Sequence, residues 1–302
     1  MPSQANSLKS ILLALMANLA IALAKCIAAV YSGSGAMLAE TIHSLADTGN
    51  QALLLWGIKS AKKSPDEEHP LGYGKEIYFW SFIVALMLFS VGGMFSIYEG
   101  LHKIAHPEAI SFPWAVLGVL VFSIAAEGGS FWGCMVEVNK DRQGPSLWQW
   151  FRESRKSDLL VVFGEDFAAL VGLVLATTAV ILTMVTGNPL FDALGSVGIG
   201  VLLLVVAFIL GAEVKSLLVG QGVEPQIKLD MEAFLIQQPQ IDKLFNLLTL
   251  QLGKDVMVAI KAKMREVQTP NELIEDINQL ECLFKARFSQ ISWCFFEPDY
   301  KD

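Results

Sequence analysis

The chain has 302 residues, of which 53% are hydrophobic and only 17% charged, and it carries a formal net charge of −8. Soluble domains average about 25% charged residues, so the composition excludes an ordinary water-soluble enzyme and points to a bilayer. The four cysteines, Cys26, Cys134, Cys282 and Cys294, show no CxxC spacing, so reduced thiols and no disulfide framework are expected.

Six runs are long enough to cross a hydrocarbon core of about 30 Å: residues 8–31, 36–58, 77–98, 109–126, 167–191 and 193–212. The first is too long for a signal-peptide core and is read as a first span. Lys25, together with Glu40 and Glu99, lies close enough to a span end to be expected to snorkel toward water.

The second run, AMLAETIHSLADTGNQALLLWGI, is the most informative. His43 and Asp47 stand four residues apart and so share a helix face. An imidazole nitrogen and a carboxylate oxygen one turn apart can hold one ion from one side, and both ligand types suit zinc. The plainer alternative is a His–Asp hydrogen bond that only satisfies two buried groups. Ionisable side chains within a span are costly, which makes them functional candidates.

Glu127, followed by Gly128 and Gly129 in the fourth run, either lines a water-filled path or makes an interhelical hydrogen bond. The fifth span opens with Asp158 and carries the adjacent pair Glu165 and Asp166 ahead of its apolar run. Adjacent residues diverge by about 100° on a helix. One of the pair is therefore expected to face a partner squarely and the other to orient it, take a proton or bind as an outer ligand; ordinary interfacial charges are the alternative. Asp192 is expected to cap the sixth span, and Gly195, Gly198 and Gly200 to permit close helix packing.

Lysine and arginine cluster in two connections, at Lys59, Lys62, Lys63 and Lys75 and at Lys140, Arg142, Arg152, Arg155 and Lys156, while the opposite connections contain only Lys103. The positive-inside rule places the two basic loops in the cytoplasm. With six spans, both termini lie there too, in the cytoplasmic (inner) membrane if the source is bacterial.

The expected division is a transmembrane domain over residues 1–220 and a cytoplasmic α+β domain over 221–302. The tail reads as helix, strand, strand, helix, strand, with elements near 229–237, 245–252, 256–264 and 290–296, which suits a two-layer fold. Thr269, Pro270 and Glu272 mark the second helix start as a capping box with proline in the first turn. Acidic residues outnumber basic ones in the tail, which argues against nucleic acid as a partner.

The segments SGSGAMLAETIHSLADTGNQ, HPLGYGKEIYFW and DALGSVGIG resemble the cation diffusion facilitator family over nearly the whole chain, and within it the branch of animal mitochondrial zinc exporters. The resemblance implies six spans, a cytoplasmic ferredoxin-like domain, a homodimer, and exchange of divalent metal for protons. It implies a metal site of His43, Asp47 and Asp166; Val162 occupies the place where a fifth-span ligand is usual, and Glu165 is the expected substitute. Zinc is the expected cargo, and a site rich in carboxylates also admits manganese, iron or cobalt. In the loop, Asp66 and His69 match a further family site, but Tyr73 replaces its second histidine, so no strong site is expected there.

No cofactor and no enzymatic activity are expected, and the chain lacks a GxxxxGK[ST] phosphate loop for an ATP-driven pump. The alternative from another class is a membrane-anchored metal sensor or scaffold that binds the ion without moving it.

Overall fold

In a computed structural model of the chain, residues 4–142 and 144–301 are described, with side chains from residue 18 onward. The helices are α1 (Gln4–Ser32), α2 (Gly35–Ser60), α3 (Glu76–Met87), α4 (Phe95–Ala105), α5 (Pro113–Arg142), α6 (Leu147–Glu153), α7 (Ser157–Thr186) and α8 (Leu190–Val219), followed by α9 (Pro225–Ile236) and α10 (Pro270–Arg287). The strands are β1 (Ile241–Leu252), β2 (Asp255–Met264) and β3 (Ile291–Pro298). Two compact units result. One comprises residues 1–57, 80–145 and 158–214; the other joins 58–79 and 146–157 to the chain from Lys215 onward.

Among the described residues, four helices are long and apolar enough to cross a membrane: Glu76–Ala105, Pro113–Arg142, Ser157–Thr186 and Leu190–Val219. The first runs through α3 and α4 with a π-helical segment, Leu88–Met94, between them. That segment contains Gly92 and Gly93, and a side chain on Gly93 would come within 2.6 Å of Leu204 on α8. Gly200 of α8 returns the contact, since a Cβ there would lie 2.8 Å from the Gly93 carbonyl oxygen. Glycine is thus required at this crossing, where two backbones approach more closely than any larger residue permits. Gly195 likewise faces Ala179 of α7, whereas Gly198 has only ordinary contact with Leu175, so two of the three expected packing glycines are tightly enclosed.

The fifth apolar run, expected to extend to residue 191, breaks at Gly187, whose φ of +70° ends α7 at Thr186. At its other end α7 begins at Ser157, ahead of the apolar run, so Asp158, Glu165 and Asp166 all sit on the helix.

In the second unit β2 is central, antiparallel to β1 and parallel to β3. Every second residue of β2, from Val256 through Val258, Ile260 and Ala262 to Met264, is buried, as the two-residue repeat of a strand with one covered face requires. These side chains pack with Met231 and Leu235 of α9 and with Leu280 and Phe284 of α10, each large one contributing about 1.5–3 kcal/mol by leaving water. Strand β1 starts four residues earlier than its alternation suggests, because irregularities between Ile241 and Lys243 and between Leu244 and Asn246 interrupt the period. At α10, Thr269 accepts the Glu272 amide proton at 3.2 Å, while the Glu272 carboxylate accepts from Gln268 N–H at 3.1 Å. The box therefore closes one residue upstream of its expected partner.

Candidate metal centre

On α2, His43 and Asp47 share a face as their spacing requires, with Nε2 3.6 Å from Asp47 Oδ2. That separation is too long for a hydrogen bond. His43 is completely buried, and neither of its ring nitrogens has a hydrogen-bond partner; Asp47 Oδ1 is buried without one too. The plainer reading of this pair, a hydrogen bond that satisfies both groups, does not describe the arrangement.

Asp47 lines a small cavity, with room of about 20 Å³, together with Asn18 of α1, Ser44 and Gln51 of α2, Glu127 of α5, and Val162, Glu165 and Asp166 of α7. The space suits one water or one bare ion. Ser44, Asp47 and Gln51 are spaced i, i+3, i+7, and Val162, Glu165 and Asp166 i, i+3, i+4, so each helix offers a single stripe to the cavity. For that reason both Glu165 and Asp166 reach it, although adjacent positions were expected to divide. Both are buried, which removes the interfacial alternative. Val162 occupies the aliphatic place on the same stripe.

The expected set is thus brought together in part. Asp47, Glu165 and Asp166 share the cavity, while His43, 3.6 Å from Asp47, is not part of its lining. Among the described residues, no three histidine, cysteine, aspartate or glutamate side chains converge closely enough to hold an ion as arranged.

Two supporting groups escaped the sequence reading. Asn50 donates to Glu165 Oε1 at 2.5 Å, and Ser130 donates to Asp166 Oδ2 at 3.3 Å. Asn50 was detectable, since it follows His43 by seven residues and Asp47 by three; Ser130 carries no signal of its own.

Lys25 and Glu40 depart from expectation. Both are completely buried rather than snorkelled, and Lys25 Nζ donates to Ser44 Oγ at 2.7 Å and to Glu40 Oε2 at 3.3 Å, with Glu127 Oε1 at 3.9 Å. Distance along the chain from a span end does not decide snorkelling when a neighbouring helix supplies a carboxylate. Removing one partner of such a pair costs about 3–5 kcal/mol, because the other is left charged and buried.

Asp192 is also reassigned. It caps α2 rather than its own helix: Ser34 Oγ donates to it at 2.5 Å and the Gly35 amide at 2.6 Å, and Lys103 Nζ lies 3.9 Å away. Lys103, near the end of α4, also donates to the Gly33 carbonyl.

In the loop before α3, Tyr73 donates to Asp66 Oδ2 at 2.6 Å and the His69 amide to Asp66 Oδ1 at 2.7 Å. The hydrogen bond from Tyr73 and that from the His69 amide hold the Asp66 carboxyl below its usual range, and the same Asp66 bond pushes the Tyr73 phenol up to about 12. Tyr73 thus occupies one of the carboxylate oxygens that a loop ion would need.

Residues 11–219 match the model of the cation efflux transmembrane domain. The chain belongs to the cation efflux family. Its members are transporters rather than enzymes, and the chain is an integral membrane protein with a small C-terminal sheet. It is 35% identical over 233 residues to the human protein named proton-coupled zinc antiporter SLC30A9, mitochondrial, covering 76% of this chain and 41% of that one. It is 31% identical over 220 residues to metal tolerance protein C4 of Arabidopsis thaliana, covering 71% and 48%. A magnetosome protein, MamB of Magnetospira sp. (strain QH-2), is 28% identical over 239 residues, covering 78% and 75%. The chain thus spans less than half the length of the first two relatives.

Proposed function

We propose that the chain exchanges a divalent metal ion, zinc first, for protons across a membrane, using the acidic cavity as its transit site. The observation that carries this reading is the meeting of Asp47, Glu127, Glu165 and Asp166 from three helices around one cavity. So many carboxylates are costly in a span unless a cation or protons neutralise them. The names of the human and plant relatives, a zinc antiporter and a metal tolerance protein, support the same substrate class.

In this reading α1 and α2 join the four apolar helices to make six spans over residues 1–220. The tail, 221–302, is a cytoplasmic ferredoxin-like domain, both termini are cytoplasmic, and two copies form a homodimer. The metal ligands are His43, Asp47 and Asp166 with Glu165. Side-chain rotation closes them on the ion, and the unpartnered nitrogens of His43 and Oδ1 of Asp47 are the free ligand atoms. Ligands must be deprotonated to bind, so metal uptake releases protons and protonation on the other side helps expel the ion.

The test is zinc flux into proteoliposomes holding the purified full chain. Wild-type flux with none in Asp47→Ala supports the reading. Zinc binding without flux favours a membrane-anchored sensor, and flux retained in Asp47→Ala removes the assigned site.

A further inference from the structure

We propose that Glu127 is an additional cargo ligand and that Lys25 is its tethered counter-cation, so that ammonium and metal compete for the same carboxylate. This rests on the metal-exchange reading and adds to it a residue pair that tunes affinity.

Lys25 is completely buried and holds two carboxylates unequally. Glu40 lies 3.3 Å from Nζ, is fully enclosed and does not line the cavity. Glu127 lies 3.9 Å away, keeps 14% of its side chain accessible and does line it. The loosely held carboxylate is therefore the one facing the transit site. Ser44 ties the two together, since it accepts from Lys25 at 2.7 Å and also lines the cavity.

A fixed ammonium beside a site for a divalent cation opposes binding through charge repulsion, and it has a compensating use. It keeps Glu127 in place while the cavity holds no metal, and it reclaims Glu127 when the ion leaves. An ion in the cavity draws Glu127 away from Lys25, which retains Glu40 and Ser44 as partners. Carriage requires binding weak enough to permit departure, and a competing internal cation supplies that weakness. Glu127 adds a carboxylate from α5 to the cavity beside Glu165 and Asp166 of α7, where Val162 offers none.

The experiment is equilibrium zinc binding to detergent-purified full-length protein, with thermal unfolding as a folding control. The variants are Asp47→Asn, Glu127→Gln, the double variant Lys25→Gln with Glu40→Gln, and that double combined with Glu127→Gln. The double removes both charges of the buried pair and so leaves neither orphaned. Glu127→Gln is expected to weaken binding about 10-fold or more. The double is expected to tighten it about fivefold or more, and the gain should vanish when Glu127→Gln is added. If the double does not fold, Glu127→Gln decides alone. Wild-type affinity in Glu127→Gln, or no gain in a folded double, overturns this proposal while leaving the metal reading intact. Wild-type protein that binds no zinc, or binds it independently of Asp47, overturns both.

Discussion

The carboxylate of Asp192 accepts the Gly35 amide proton at 2.6 Å across 157 positions of sequence, so the start of α2 is capped by a residue of α8. Ser34 and the Ala36 amide donate to the same carboxylate. Because α2 carries His43 and Asp47, this cap fixes the end of the helix that bears the candidate ligands.

Asp192→Ala should lower stability by about 1–3 kcal/mol, the cost of leaving buried donors unsatisfied. Asp192→Asn, which keeps an acceptor oxygen but loses the charge opposite Lys103, should fall between it and wild type. Thermal unfolding of the detergent-purified protein checks both. Equal stability of all three would remove the capping role.

Asn50 positions Glu165, so Asn50→Leu should reduce zinc flux about 10- to 100-fold, in the range of lost supporting partners at metal sites. Glu165→Gln should weaken flux less than Asp166→Asn if, as proposed, Glu165 serves as a substitute for the ligand that Val162 does not supply at the usual position. Initial rates in proteoliposomes give the order. Complete, equal loss in Glu165→Gln and Asp166→Asn would make the two carboxylates equivalent ligands.

Zinc flux should rise when a proton gradient opposes it and fall when a protonophore collapses that gradient, because in the proposed exchange metal and protons compete for the same ligands. Rates that do not change across a series of imposed gradients would indicate a facilitative carrier without exchange.

The tail offers a pH-dependent test. Burial pushes the Cys294 thiol up to about 11, while Cys282 is exposed on α10. A thiol raised from about 9 to about 11 has about 100-fold less thiolate at pH 8. Cys282 should therefore be alkylated quickly and Cys294 slowly, with the Cys294 rate climbing as pH rises toward 11; peptide mass spectrometry after timed labelling measures both. None of the four histidines, His43, His69, His102 and His106, lies in the tail. Cys282→Ser and Cys294→Ser should accordingly leave zinc affinity of the full chain unchanged. A drop in stoichiometry by one ion would instead place a site in the tail.

The shared face of His43 and Asp47 was legible because both lie on one helix, α2, where spacing alone fixes which side chains share a side. The tail's element order was legible for a related reason. Strand β2 alternates strictly over Val256 to Met264, and α10 announces its start at Thr269 and Pro270. Where β1 carries irregularities the period broke, and its first four residues were missed.

What required the tertiary structure was every relationship between helices. Lys25 and Glu40, each read alone, looked like residues escaping to water; they stay buried because α1 brings an ammonium beside a carboxylate of α2. Asp192 looked like the cap of its own helix until packing set it against Ser34 and Gly35. Glu165 and Asp166 both reach the cavity because Val162 centres their stripe on it, a consequence of how α7 is rotated against α2 and α5. A local pattern specifies the face of one helix. The choice of what that face meets depends on close approach at Gly93 and Gly200 and on which buried charge finds which partner, and those are properties of the packed bundle.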